Sequence, residues 1–280
     1  MRELLETGAE VDAQDAEGCT ALTVALAMER GKEGAARALL EAGAGVNAGT
    51  GRRPLHASAE KGTVEMVREL VGKDAEVGGR TEGTPALTVA LAEGKEAVAR
   101  ALLEAGAGVN AGTGQRPLHA AAEKGMVEMV RELVGKDAEV DAEDGEGCTA
   151  LMVALAYEKE AAARALLEAG AAVNAGTRWR PLHAAAEKGT VEMVRELVGK
   201  DAEVDAKDGQ GCTALTVALA FEKEAAARAL LEAGAGVNAG TRWRPLHVAA
   251  MQGMVEMVRE LVGKDAEVDA QDGQGRTANR

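Results

Sequence analysis

The residues best equipped for chemistry in this 280-residue chain are three cysteines, Cys19, Cys148 and Cys212, and four histidines, His56, His119, His183 and His247. Thiolates and imidazoles hold zinc when four of them converge, and a cysteine beside a histidine makes a nucleophile. Their spacing argues against both. His119, His183 and His247 follow one another at intervals of 64 residues, and Cys148 and Cys212 are also 64 apart. Side chains that recur at one position of a repeating chain are spread along it and do not meet. At about 8–10 Å per packed helix layer, two layers separate Cys148 from Cys212 by about 20 Å. That is well beyond the roughly 7 Å Cα limit of a disulfide. The cysteines are therefore read as thiols, which places the chain in a reducing, intracellular and cytoplasmic compartment. A reactive Cys148 or Cys212 beside a basic loop is the one nucleophile left open. The glycines keep the same period, so none forms a phosphate-cradling loop, and no Ser/His/Asp set converges. No catalytic residue, cofactor or metal is expected, and the chain is read as non-enzymatic.

The period that disperses these residues also dictates the fold. Asp144–Lys207 returns as Asp208–Gln271 with nine substitutions. Leu22, Leu55, Leu87, Leu118, Leu151, Leu182, Leu215 and Leu246 mark half-repeats of 31 to 33 residues. A period in this range means a stacked array, whose extended surface suits binding better than catalysis. Apolar residues make up 46% of the chain and aromatics only 1%, so the core is built from alanine, leucine and valine. The net charge of −14 disfavours nucleic acid, because phosphate binding needs a basic face. No apolar run of about 18 residues and no charged-then-apolar leader is visible, so neither membrane insertion nor secretion is expected.

The stretch Arg180–Ala206 shows how one repeat should fold. Pro181 suits the first position of a helix, where its missing N–H costs nothing. Leu182, Ala185 and Ala186 form one face of a short helix ending near Gly189. Thr190 is expected to cap a second helix, with Glu192 in its first turn. Val191, Val194, Leu197 and Val198 give that helix its apolar stripe. Helices of about eight residues do not stand alone, so each pair must be buried by its neighbours.

Thr84-Pro85, Arg180-Pro181-Leu182-His183, the run from Gly189 to Arg195, Leu166–Ala171 and Val204-Asp205-Ala206 together resemble the ankyrin repeat. The resemblance implies an all-α solenoid of stacked helix pairs with β-hairpin or loop fingers. Residues 1–280 would form a single array, with repeats at approximately 17–48, 50–79, 82–111, 113–142, 146–175, 177–206, 210–239 and 241–270. Partial repeats are expected at 1–14, where Met1 aligns with Val194, and at 272–280. With no polar capping repeat at either end, end-to-end self-association is also expected.

The departures from the family pattern alternate. Even repeats replace the capping threonine by arginine (Arg53, Arg116, Arg180, Arg244), at a cost of about 1 kcal/mol each. Odd repeats keep Thr20, Thr84, Thr149 and Thr213. Odd second helices end at Gly43, Gly106, Gly170 and Gly234; even ones place Asp74, Asp137, Asp201 and Asp265 there, which must adopt a left-handed conformation. Long fingers are acidic (Asp141, Glu143, Asp144, Glu146) and short fingers basic (Arg52, Arg53, Arg116, Arg178, Arg180, Arg242, Arg244), so adjacent fingers should neutralise one another.

The resemblance implies a protein partner bound through finger tips and the concave first-helix face. All four aromatics, Tyr157, Trp179, Phe221 and Trp243, fall on positions displayed there. Aromatic and arginine side chains are the usual hot spots. The candidate partner-binding set is therefore these four with Arg178, Arg180, Arg242, Arg244, Met251 and Gln210. Either tryptophan could instead fold over its shortened finger and pack. Two other readings stand beside the binding scaffold: a structural spacer produced by repeat expansion, and the ankyrin segment of a larger multidomain protein.

Overall fold

A computed structural model describes residues 10–28, 33–61, 63–81, 83–112, 114–176, 179–240 and 243–270. The chain divides into two compact units, 1–139 and 140–280. In the first, α1 (Ala21–Ala27) pairs with α2 (Glu33–Glu41), α3 (Pro54–Lys61) with α4 (Val64–Val71), α5 (Ala86–Ala92) with α6 (Glu96–Glu104), and α7 (Pro117–Lys124) with α8 (Val127–Gly135). In the second, the pairs are α9 (Ala150–Ala156) with α10 (Glu160–Glu168), α11 (Pro181–Lys188) with α12 (Val191–Gly199), α13 (Ala214–Ala220) with α14 (Glu224–Glu232), and α15 (Pro245–Met251) with α16 (Val255–Gly263). The 16 helices among the described residues make the fold all-α. Among the described residues one two-stranded ladder joins β1 (Arg80–Thr81) to β2 (Thr84–Pro85), antiparallel, with Arg80 opposite Pro85.

Within each unit first helices pack on first helices: α1 on α3, α3 on α5 and α5 on α7, then α9 on α11, α11 on α13 and α13 on α15. The marker leucines line these contacts, and none is more than 4% exposed. Alanines such as Ala57, Ala90, Ala121, Ala154, Ala185 and Ala218 are fully buried between them. Small side chains there let short helices approach closely, which is how a chain with so few rings still fills its core.

Helix starts follow the local sequence. The hydroxyls of Thr20, Thr149 and Thr213 accept from the N–H groups of Thr23, Met152 and Thr216. Arg116, Arg180 and Arg244 occupy the same place in even repeats without a side-chain cap bond. Two threonines depart from expectation. Thr84 lies in β2, and Pro85 takes the N-cap, because the finger there is shorter and its ladder runs into the helix start. Thr190 makes no cap bond; its hydroxyl donates back to the Ala185 carbonyl at 3.3 Å. The left-handed Gly189 (φ 78°) turns the chain so that Thr190 faces the end of the helix before it. At the ends of second helices the expected left-handed residues are present: Gly43, Gly106, Gly170 and Gly234 in odd repeats, and Asp74, Asp137, Asp201 and Asp265 (φ 63° to 65°) in even ones.

The loops are held by side chains that reach backbone. In the long fingers Asp15, Asp144 and Asp208 each accept from the N–H groups two and four residues on, closing a hairpin turn. Asn47, Asn110, Asn174 and Asn238 each donate to the carbonyl of the left-handed aspartate 27 residues ahead. Each also accepts the N–H of the glutamate 29 residues ahead. Asp141 and Asp205 likewise accept from Ala172 N and Gly236 N in the next repeat, both at 2.8 Å. Arg116, Arg180 and Arg244 take Glu139, Glu203 and Glu267 as partners at 3.0, 2.8 and 2.9 Å, so this charge neutralisation runs within a repeat.

Candidate protein-binding surface

The candidate side chains lie at the ends of first helices and on the fingers before them. In the second unit the aromatics divide into two kinds there. Tyr157 and Phe221 follow the last residues of α9 and α13 and are 55% and 52% exposed. Trp179 and Trp243 precede the N-cap arginines of α11 and α15 and are half-buried. The Trp179 ring lies 5.5 Å from that of His183, tilted by 44°. His183 is itself buried and donates from Nε2 to the Cys212 carbonyl at 3.1 Å. Burial, partly opposed by this bond, lowers the His183 pKa and favours the neutral ring, whose Nδ1 has no hydrogen-bond partner.

Arg180 and Arg244 are half-buried and bonded to Glu203 and Glu267, so they brace their own repeats. Gln210 is exposed at a hairpin turn, its N–H held by Asp208 Oδ1 at 2.8 Å. Arg178 and Arg242 lie outside the described residues, as do residues 1–9 and 272–280 of the two expected partial repeats. Met251 is 60% exposed. The neighbouring Gln252 donates to the Ala220 carbonyl at 2.7 Å, one residue before Phe221. Met251 and Phe221 thus leave adjacent helix ends.

One pair of positions changes character along the chain. Arg52 forms an ion pair with Glu60, and Gln115 donates to Glu123 at 2.6 Å. The same two positions hold Trp179 and Glu187 in the sixth repeat, then Trp243 and Met251 in the eighth. The residues at these two positions therefore run from ionic, through polar, to wholly apolar along the chain. An isolated reading of any one repeat misses that progression.

Other chemistry is weak. The Cys148 thiol is pushed up in pKa by burial and by the carboxylates of Asp144, Glu146 and Glu143, the opposite of an activated thiolate. Among the described residues no group of three His, Cys, Asp or Glu side chains could hold a metal. No described helix is long and apolar enough to cross a membrane. Sequence reasoning missed an open groove of about 740 Å³ in the first unit, lined by Asp15, Glu17, Val24, Met28, Arg52 and His56 among others. The signal for it was present: Met28 holds the register position of Tyr157 and Phe221.

Comparison with known proteins fits this architecture. Family models described as ankyrin repeats match residues 26–113, 87–177, 172–241 and 246–278. The chain belongs to the ankyrin-repeat family. It is 36% identical over 212 residues to ankyrin repeat and SOCS box protein 16 of Homo sapiens, covering 71% of this chain and 47% of that protein. It is 33% identical over 171 residues to rabankyrin-5 of Mus musculus, covering 58% of this chain and 15% of that protein. The crystal structure of the human ASB11 ankyrin repeat domain superposes with a TM-score of 0.68 at 30% identity, over 77% of this chain and 98% of that one. The fold is thus an ankyrin-repeat solenoid. The chain spans less than half the length of these two full-length relatives, whose other activities stay with them.

Proposed function

We propose that this chain is a non-enzymatic scaffold that binds a protein partner through the first-helix ends and fingers of its second unit. Ankyrin repeats are generally protein-interaction modules, and the family is typically non-enzymatic. The observation that carries the reading is the pair Phe221 and Met251, large apolar side chains more than half exposed on adjacent helix ends. Tyr157 is a further exposed ring, separated from Phe221 by the charged Glu187–Lys188 end of α11, and Trp179 and Trp243 are half-buried on the fingers before α11 and α15. Arg180, Arg244 and Gln210 make the polar rim, and Arg178 and Arg242 belong to the candidate set by sequence position alone. Residues 1–280 are read as one array, and the thiols favour an intracellular, cytoplasmic setting.

The near-identity of residues 144–207 and 208–271 favours a second reading, a spacer without a selected partner. Affinity capture from source cells separates the two. The chain is compared with a variant in which Tyr157, Trp179, Phe221 and Trp243 are all alanine, each checked for folding by circular dichroism. A partner held by the first and lost by the folded second supports the scaffold. Capture of none by either supports the spacer, and capture of the same partner by both places its site away from the four aromatics.

A further inference from the structure

Second helices meet their neighbours in two alternating ways. From an even repeat to the odd repeat after it they pack directly, α4 on α6 in the first unit and α12 on α14 in the second. Val67 and Val194 are fully buried on those even helices, whereas Val258, at the same register of the last second helix α16, is half-buried. The cover on Val67 and Val194 is therefore the next repeat. From an odd repeat to the even repeat after it the second helices stand farther apart: α2 from α4, α6 from α8, α10 from α12 and α14 from α16. An ion pair spans each of these gaps. Arg37 meets Glu69 at 3.3 Å, Arg100 meets Glu132 at 3.2 Å, Arg164 meets Glu196 at 3.0 Å and Arg228 meets Glu260 at 3.1 Å, each through Nε.

The two ends of each gap are held differently. Beyond the C-terminal end of α12, Asn174 bonds Asp201 O and Glu203 N, so that end is pinned to the repeat before it. The N-terminal ends of α10 and α12 lie outside this clamp. At the seventh-to-eighth junction Gln252, in the turn before α16, adds a tie by donating to the Ala220 carbonyl at 2.7 Å. At the fifth-to-sixth junction the same position holds Lys188, which pairs with Glu187 of its own helix at 3.4 Å. The fifth-to-sixth gap is thus the freer of the two in this unit, with Arg164 spanning it and steadied by Glu160 at 3.3 Å. A more exposed pair, Arg195 and Glu232 at 3.4 Å, crosses the sixth-to-seventh junction, where apolar packing already holds the helices.

We propose that the fifth-to-sixth junction is a hinge set by ionic strength, in which α10 and α12 part from their N-terminal ends when the Arg164–Glu196 pair is weakened. Salt screens such a partly exposed pair and leaves apolar contact in place, so the packed sixth-to-seventh junction keeps its spacing. Tyr157 belongs to the fifth repeat and Trp179 to the sixth, so opening changes their separation. That consequence rests on the function proposed above; the hinge itself does not.

The test measures distances between nitroxide pairs by double electron–electron resonance, with no partner present. The full chain is used with Cys19, Cys148 and Cys212 changed to serine, its folding checked by circular dichroism. One pair is placed by Ala161→Cys and Glu192→Cys across the fifth-to-sixth junction. The other is placed by Glu192→Cys and Ala225→Cys across the sixth-to-seventh. All three positions are exposed. Raising sodium chloride from about 10 mM to about 1 M shortens the Debye length from about 30 Å to about 3 Å. The 161–192 distance should then lengthen by about 1–2 Å, the scale of a helix shift, while the 192–225 distance holds. Arg164→Gln should lengthen the 161–192 distance already at low salt and abolish its response to salt. A 161–192 distance indifferent to salt overturns the proposal, as does an equal change in both pairs or a response that survives in Arg164→Gln.

Discussion

At the scale of single residues, backbone conformation decides more than composition suggests. Glu158 and Glu222 adopt φ of 57° and 56°, the left-handed region that Gly94 occupies at the same position with φ 69°. A side chain there carries a steric cost of about 1–2 kcal/mol, part of which glycine gives back through its looser unfolded chain. Glu158→Gly and Glu222→Gly should each stabilise the protein by about 0.5–1 kcal/mol, read as a higher urea midpoint; an unchanged or lower midpoint contradicts this. The signal was legible, since Gly189 stands in the equivalent place of the sixth repeat. The misplacement of Thr84 has a local origin: a finger of different length shifts a motif by one position while the helices around it keep their period.

At the scale of elements, stability rests on links between repeats. Asn174 joins two of them, donating to Asp201 O at 3.1 Å and accepting from Glu203 N at 2.9 Å. Asn174→Ala leaves both backbone groups without this partner and should cost about 1–3 kcal/mol. Asn174→Asp, which keeps the acceptor, should cost less; equal effects would remove the role assigned to the acceptor bond. The histidines make the second kind of link. Burial lowers the pKa of His56 and of His183, so the unfolded chain takes up protons first as pH falls. Their contribution is therefore complete above about pH 6.5 and is lost as pH drops through the lowered folded values. Urea midpoints should fall from pH 7 to pH 5, and His183→Gln should flatten that slope. A slope unchanged by the substitution would place the acid sensitivity elsewhere. The helix pairs themselves were plain in the sequence, because apolar stripes recur in every repeat, with proline starts in the four even repeats and terminal glycines in the four odd ones. The clamps were not, since an asparagine reaching 27 and 29 residues ahead has meaning only once neighbouring repeats are stacked.

At the scale of the whole molecule, many copies of one fold element leave function to the few positions where the copies differ. The family was legible because repetition multiplies a weak motif. The proposed binding face was legible only in part: Tyr157 and Phe221 stand out into solvent, whereas Trp179 leans on His183, the packing alternative that spacing alone could not decide. The most direct measurement is the affinity of the captured partner for the chain and for a Phe221→Ala, Met251→Ala double variant, with thermal melting recorded alongside. Exposed hot-spot side chains should cost about 2 kcal/mol or more on truncation, roughly a thirtyfold loss, with the melting temperature unchanged. Unaltered affinity, or affinity lost only together with melting temperature, would contradict the assignment of this face.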